Sequence, residues 1–245
     1  MQFAQQVLHK VNKQIEDLQY KGLKIVQDKD SYCFTSDSVL LANFFNANSG
    51  DNVVELCSGS GVISILASKK TNASNFYCFE IQSNLANLCE ESLKINNIAN
   101  IKVYNTDLFN APQIMQGTRV DVVVVNPPYY TDNTYSKNNS VSVATHERST
   151  NLQTIAEVAG KLLKFGGKFY MVHIASRFAE ICYHLVNNKL QPKQAIFIKP
   201  NNNKQYNIVL IQATKGAKAG LTIKDLVITD NNLTSQQLQM LFDKK

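Results

Sequence analysis

Asn126-Pro127-Pro128-Tyr129 follows directly on a short apolar run, 120–125 (VDVVVV). Two consecutive prolines stiffen a turn and leave the preceding carbonyls without competing local N–H donors. Asn126 then offers a side-chain carbonyl and Pro127 a backbone carbonyl, and both can accept hydrogen bonds from one NH2 group. The lone pair of an adenine or amide NH2 is delocalised, so its nitrogen is a poor nucleophile. Holding both hydrogens from one side favours a tetrahedral nitrogen with its lone pair turned toward an electrophile. Such a site works by positioning and electrostatics, without a strong base. Tyr129 can stack on a planar substrate. The competing reading is a proline-rich turn without chemistry.

A second group lies upstream, in Val53-Val54-Glu55-Leu56-Cys57-Ser58-Gly59-Ser60-Gly61. An apolar run enters a glycine-rich turn that opens a helix. Glycine lets backbone approach a ligand closely, and a helix N-terminus supplies N–H donors. Glu80 ends the next apolar run about 20 residues later, where an acid can bind both hydroxyls of a ribose. The third position of a dinucleotide fingerprint is Ser64, which departs from the NAD pattern. Glu55, an acid before the turn, suits a ligand amino group. Asp107, in NTDLF, can accept from an adenine amino group or can cap a helix.

These residues need elements to hold them. Strands are predicted at 52–56, 75–81, 101–104, 120–125, 168–174, 195–198 and 207–214 from β-branched and apolar runs bounded by turn residues. Helices are predicted from 62 to 68, over 83–96 with Leu85, Leu88, Cys89 and Leu93 on one face, and around 178–187. Another carries Leu152, Ile155, Ala156, Ala159, Leu162 and Leu163, and Gly166-Gly167 turns it into the following strand. Strands alternating with helices imply an α/β fold, a doubly wound, Rossmann-like sheet. Seven strands are expected, with the last two an antiparallel pair at the sheet edge. Residues 1–45 are expected to form a small hairpin (21–34) and a packing helix (37–45) within the same unit, and 46–245 the ligand-binding domain. In such a sheet the carboxyl end of a central strand faces the ligand crevice, which is where Asn126 would lie.

Composition bounds the class. The chain has 245 residues, 44% hydrophobic, enough for one sizeable α/β domain. The N-terminus is polar and mixed, unlike a signal peptide, and no apolar run approaches the roughly 20 residues of a membrane span. The five cysteines are odd in number and form no CxxC pair, and the four histidines lack metal-ligand spacing. A reduced, cytoplasmic protein without metal is expected. The net charge of +6 suits an anionic partner such as nucleic acid. It is equally consistent with compositional drift in a chain rich in Asn, Lys and Ile.

Asn126 to Tyr129, the GxG turn, Glu80 and Asp107, in that order, resemble the class I S-adenosylmethionine methyltransferases that carry N-P-P-Y. More narrowly, the chain resembles the bacterial tRNA1(Val) (adenine(37)-N6)-methyltransferase family. CFTSDSVLLANFF (33–45) is similar to that family's TDavLLa.f segment, and NPPYY (126–130) and the stretch Ala144-Thr145-His146-Glu147 also match. The resemblance implies S-adenosyl-L-methionine as cofactor, held by Ser58, Gly59, Gly61, Glu80, Asp107 and Asn126, with Asp37 at the cofactor edge and Glu55 toward its amino group. It implies an amino-group clamp at Asn126, Pro127, Pro128 and Tyr129, with tRNA as partner and a monomeric enzyme. Cys57-Ser58 departs from the family's usual residues in the turn but leaves both glycines in place. A target adenine would be splayed from its loop into the pocket. Candidate RNA contacts are Tyr130, Lys137, Arg148, Lys199 and Lys204, with Lys10, Lys13, Lys21 and Lys24 in support. His146 and Glu147 would be a pocket rim or a loop anchor. Competing readings are a glutamine N5-methyltransferase acting on a protein such as a release factor, a DNA adenine methyltransferase, and a non-catalytic RNA-binding module of the same fold.

Overall fold

The computed structural model describes residues 13–28, 35–129, 151–200 and 203–228. An eight-stranded mixed sheet forms the centre. Its parallel part is built from β3 (Asn52–Leu56), β4 (Asn75–Glu80), β5 (Ile101–Asn105), β6 (Val120–Val125) and β7 (Leu163–Ile174). They stand in the order β5-β4-β3-β6-β7, so the chain reverses its direction of growth between β3 and β6. In an open α/β sheet that switch point is where the crevice forms.

Strand periodicity divides the core into two layers. Val53, Val122 and Val124 face one side, where they pack with α1 (Ser36–Phe44) and α2 (Val62–Lys70). Val54, Leu56, Val123 and Val125 face the other, against α5 (Leu152–Leu162) and α6 (Phe178–Asn187). All six residues of β6 are buried, as expected of a strand covered on both faces. Each buried valine contributes roughly 1.5 kcal/mol. In α3 (Ser83–Ile95), Leu85, Leu88, Cys89 and Leu93 are buried, the face predicted from their spacing. A short helix, α4 (Ala111–Ile114), precedes β6. Asp121, the one charge in β6, sits at the opposite end from Asn126. There it accepts from the Asn52 backbone N–H (2.9 Å) and pairs with Lys164.

Several expectations need correction, among them the start of β7, which begins at Leu163 and runs through Gly166-Gly167 instead of after them. The hairpin is β1 (Lys13–Asp17) with β2 (Lys24–Asp28), so its first strand precedes residue 21. It lies on α3, where the Val26 N–H donates to Ser92 Oγ (2.9 Å) and the Asn96 amide bonds both backbone groups of Lys24 (2.8 and 2.6 Å). Next, β9 (Ile208–Lys215) and β8 (Leu190–Lys199) do pair antiparallel, but not at the edge. β9 inserts between β7 and β8, antiparallel to both. Its Val209, Leu210 and Ile211 are fully buried, which suits an inner strand. The edge belongs to an eighth strand, β10 (Thr222–Val227), parallel to β8. Its polar, exposed pattern hid it. β8 also begins earlier than expected, because Pro192 sits within it at a register irregularity, a tolerated place for proline.

Candidate active site at the carboxyl ends of the strands

β3 leaves the sheet through a turn in which Cys57 (φ 56°), Gly59 (φ 56°) and Gly61 (φ 83°) are left-handed. The two glycines serve different needs. A Cβ on Gly61 would lie 2.3 Å from Cys89 Sγ, so Gly61 lets α2 and α3 come together. A Cβ on Gly59 would meet nothing within 4 Å, so the space above that residue is open. Ser58 Oγ is buried and has no hydrogen-bond partner among the described residues. An orphaned buried hydroxyl beside an open glycine is what a polar ligand cradled on the turn requires.

Two acids flank the turn. Glu80, at the end of β4, accepts from the Gly59 N–H (2.8 Å) on one oxygen and the Gln82 N–H (2.9 Å) on the other. Its carboxylate is thereby oriented beside the turn. Glu55 is buried, and one of its oxygens accepts from both the N–H (3.0 Å) and the hydroxyl of Ser64 in the first turn of α2. It therefore supplies, from β3, the cap that Gly61 cannot. Burial is the main cause that pushes its pKa up, to about 7, against the hydrogen bonds from Ser64 and Cys78; nearby Glu80 adds to the rise. Asp107 accepts from the Phe109 N–H (2.9 Å), the capping role, at the end of β5.

Leu56 and Val125 are register partners in β3 and β6, so Asn126 emerges beside the glycine turn. Its side chain is held from α1, where Asn126 Nδ2 donates to Ser38 Oγ (2.8 Å). The Tyr129 hydroxyl lies 2.8 Å from Asp37 Oδ2 and 3.1 Å from Asn126 Oδ1. Burial raises the Asp37 pKa, and the Tyr129 hydrogen bond opposes that rise. The Tyr129 ring tilts against His173 of β7, with centroids 5.0 Å apart. His173 is buried, and burial lowers its pKa to about 4. Its Nδ1 accepts from the Ile174 N–H (2.9 Å), so the ring is neutral and packs as a wall.

The structure thus gathers Ser58, Gly59, Gly61, Glu80, Asp107, Asn126, Pro127, Pro128 and Tyr129 along one end of neighbouring strands. Asp37, expected at the cofactor edge, is found on Tyr129. Glu55, expected to meet a ligand amino group, is found capping α2. Ser38 and His173 were not anticipated. Ser38 directly follows Asp37 at the start of a predicted helix, which is a faint signal. His173 gives none, because only the pairing of Val125 with Met171 brings its stretch of β7 level with the turn.

The candidate RNA contacts divide. Tyr130, Lys137, Arg148, His146, Glu147 and Lys10 lie outside the described residues. Two antiparallel steps return β8 to the direction of β6, so Lys199 ends at the same rim as Asn126, and exposed Lys204 follows it. Lys199 Nζ lies over the Tyr206 ring, 5.1 Å from its centroid. Lys21 is elsewhere, bonding the Lys69 carbonyl (2.9 Å) at the far end of α2, and Lys13 pairs with Glu91. Neither supports the rim.

A family model described as "Methyltransferase small domain" matches residues 33–208. A tRNA1(Val) (adenine(37)-N6)-methyltransferase from Proteus mirabilis is 24% identical over 221 residues, covering 87% of this chain and 86% of that protein. A Methanocaldococcus jannaschii protein, named as a candidate protein N5-glutamine methyltransferase, is 31% identical over 112 residues, covering 46% of this chain and 54% of its own. Among solved structures, that of a predicted O-methyltransferase from Agrobacterium tumefaciens superposes with a TM-score of 0.62. It is 19% identical and covers 78% of this chain and 86% of its own.

Proposed function

Taking as premise that the chain belongs to the methyltransferase small domain family, we propose that it transfers a methyl group from S-adenosyl-L-methionine to N6 of an adenine in tRNA, adenine 37 of tRNA1(Val) being the first candidate. The observation that carries the reading is the pinned Asn126 amide. Its NH2 is committed to Ser38, so its carbonyl is the atom left to receive hydrogen bonds, beside the open glycine turn. The Pro127 carbonyl would take the second hydrogen of the same NH2. Tyr129, braced by His173, offers a ring face to a planar base.

The residues of the turn fit the cofactor. Ser58 Oγ and the Ser60 backbone would hold its amino-acid end, Glu80 its ribose, and Asp107 its adenine amino group, while Gly61 shapes the turn with both its backbone groups bonded inside the protein. The cofactor supplies an electrophilic methyl group on a sulfonium. The protein would hold the acceptor nitrogen toward that methyl group, its carbonyl oxygens accepting the N–H hydrogen bonds. The nitrogen would gain the methyl as the carbon–sulfur bond breaks, and would then release one proton to water, so no strong base is required.

A glutamine amide poses the same chemical problem, and the relative from M. jannaschii favours that second reading. The test uses isotope-labelled S-adenosylmethionine with total tRNA from a host lacking the gene, release factors in a parallel tube, and Asn126→Ala as control. Labelled N6-methyladenosine, lost at least 100-fold in the variant, is the expected result, because removing one preorganised acceptor costs about that much. Label in protein and none in RNA would move the assignment to glutamine.

A further inference from the structure

Among the described residues, two acceptors lie within reach of the one Tyr129 hydroxyl proton. Asp37 Oδ2 is nearer, at 2.8 Å, while Asn126 Oδ1 lies at 3.1 Å. A carboxylate is the stronger acceptor, and charge-assisted hydrogen bonds are the shorter ones. The proton therefore goes to Asp37, and Asn126 Oδ1 keeps its lone pairs. We propose that Asp37 is a positioning residue for the substrate clamp: by drawing the Tyr129 hydroxyl proton away, it keeps Asn126 Oδ1 open to the incoming NH2. This role rests on the amino-group reading above.

The arrangement runs in reverse if Asp37 becomes a donor. A neutral group at this position would donate to the phenol oxygen, and the phenol proton would then turn to Asn126 Oδ1. The clamp would be occupied by the protein's own hydroxyl. Burial of Asp37 works toward that neutral form and the Tyr129 hydrogen bond works against it, so each group sets the state of the other. Other titratable groups on the elements packed against α1 are engaged away from the cluster. Lys70 of α2 bonds Asn43, and Lys69 precedes it at that helix's far end. On β7, Lys164 pairs with Asp121, Lys168 stands level with Val122, and the Tyr170 ring packs on Phe44 and Phe45. Lys215 of β9 bonds the Gly160 carbonyl (2.6 Å). Among the described residues of those elements, His173 reaches the cluster, as a neutral ring against Tyr129.

Asp37→Asn installs a donor without changing shape. The rate of the methyl-transfer step, in single turnovers with saturating cofactor and tRNA, should fall about tenfold or more, one hydrogen bond's worth. The dissociation constant for S-adenosylmethionine should stay within about twofold. Tyr129→Phe removes the hydroxyl, so in its background Asp37→Asn should cost less than about twofold. Additive losses, or loss of cofactor binding in Asp37→Asn, would overturn the proposal and make Asp37 a cofactor ligand. A second readout needs no substrate: the Asp37 carboxyl, followed by carbon NMR in the free protein, should titrate at higher pH in Tyr129→Phe. An unchanged midpoint means that the phenol proton is not on Asp37, and the proposal fails. Wild-type protein that leaves tRNA unlabelled would defeat the substrate reading alone, and the titration would then decide the proton's place by itself.

Discussion

Gly59 and Gly61 lie two residues apart in one turn, both left-handed, and substitution should separate their roles. At Gly61 a methyl group meets Cys89 Sγ at 2.3 Å, besides the strain of φ 83°. Gly61→Ala should lose more than about 2 kcal/mol of stability by thermal unfolding, and Cys89→Ala should restore part of it. At Gly59 the space is open, so Gly59→Ala should cost about 1 kcal/mol of backbone strain and fill the place where a ligand approaches. Its cofactor affinity, read by calorimetry, should fall at least tenfold. Equal unfolding losses with normal cofactor binding in Gly59→Ala would refute this division. The sequence marks both glycines, since a GxG after a strand signals a tight turn. Which glycine serves the ligand depends on Cys89, 28 residues further along, and no local pattern contains that.

Glu55 shows how an element's end is made from another element. α2 starts at a glycine with no side chain to cap it, and the carboxylate of β3 receives its Ser64 N–H instead. The folded-state pKa, near 7 against an ordinary 4.5, means that the folded protein holds a proton the unfolded chain has released across that interval. Stability of the ligand-free protein should therefore decline as pH rises from about 4.5 to 7, by about 2–3 kcal/mol from this group. Denaturant unfolding of Glu55→Gln should show a shallower decline over the same interval. A parallel pair of curves would mean that Glu55 is not the titrating group. At this scale the helices were largely legible, because α3 and α5 carry strong 3.6-residue patterns. β10 was not, because an edge strand with solvent on its faces has little apolar alternation to read.

The whole molecule gathers its candidate site at one end of its sheet. The parallel strands deliver the glycine turn, Glu80, Asp107 and Asn126 there, and the β8–β9 connection brings Lys199 and Lys204 to the same rim. If that rim holds RNA phosphates, Lys199→Ala with Lys204→Ala should weaken tRNA binding. The slope of log K against log salt should also become shallower by about 1.5, since each lost phosphate contact removes about 0.7–0.9. A salt titration that matches wild type would take this loop out of the interface. The doubly wound class was readable from the alternation of strands and helices. The order of the last three strands was not, because a hairpin's sequence is the same whether it lies at the edge or folds inward.

By itself the sequence determined the things that depend on neighbours in the chain. These are the N-P-P-Y segment after a buried strand, the glycine turn after another, the acids at the strand ends, and hence a methyltransferase reading. Tertiary structure decided what depends on residues far apart. It set Asp37 and Ser38 against Tyr129 and Asn126 across about 90 residues of chain, put His173 behind the tyrosine ring, and turned Glu55 toward α2. Hydrogen bonds and burial act over a few ångströms of space, and only folding converts separation along the chain into that proximity.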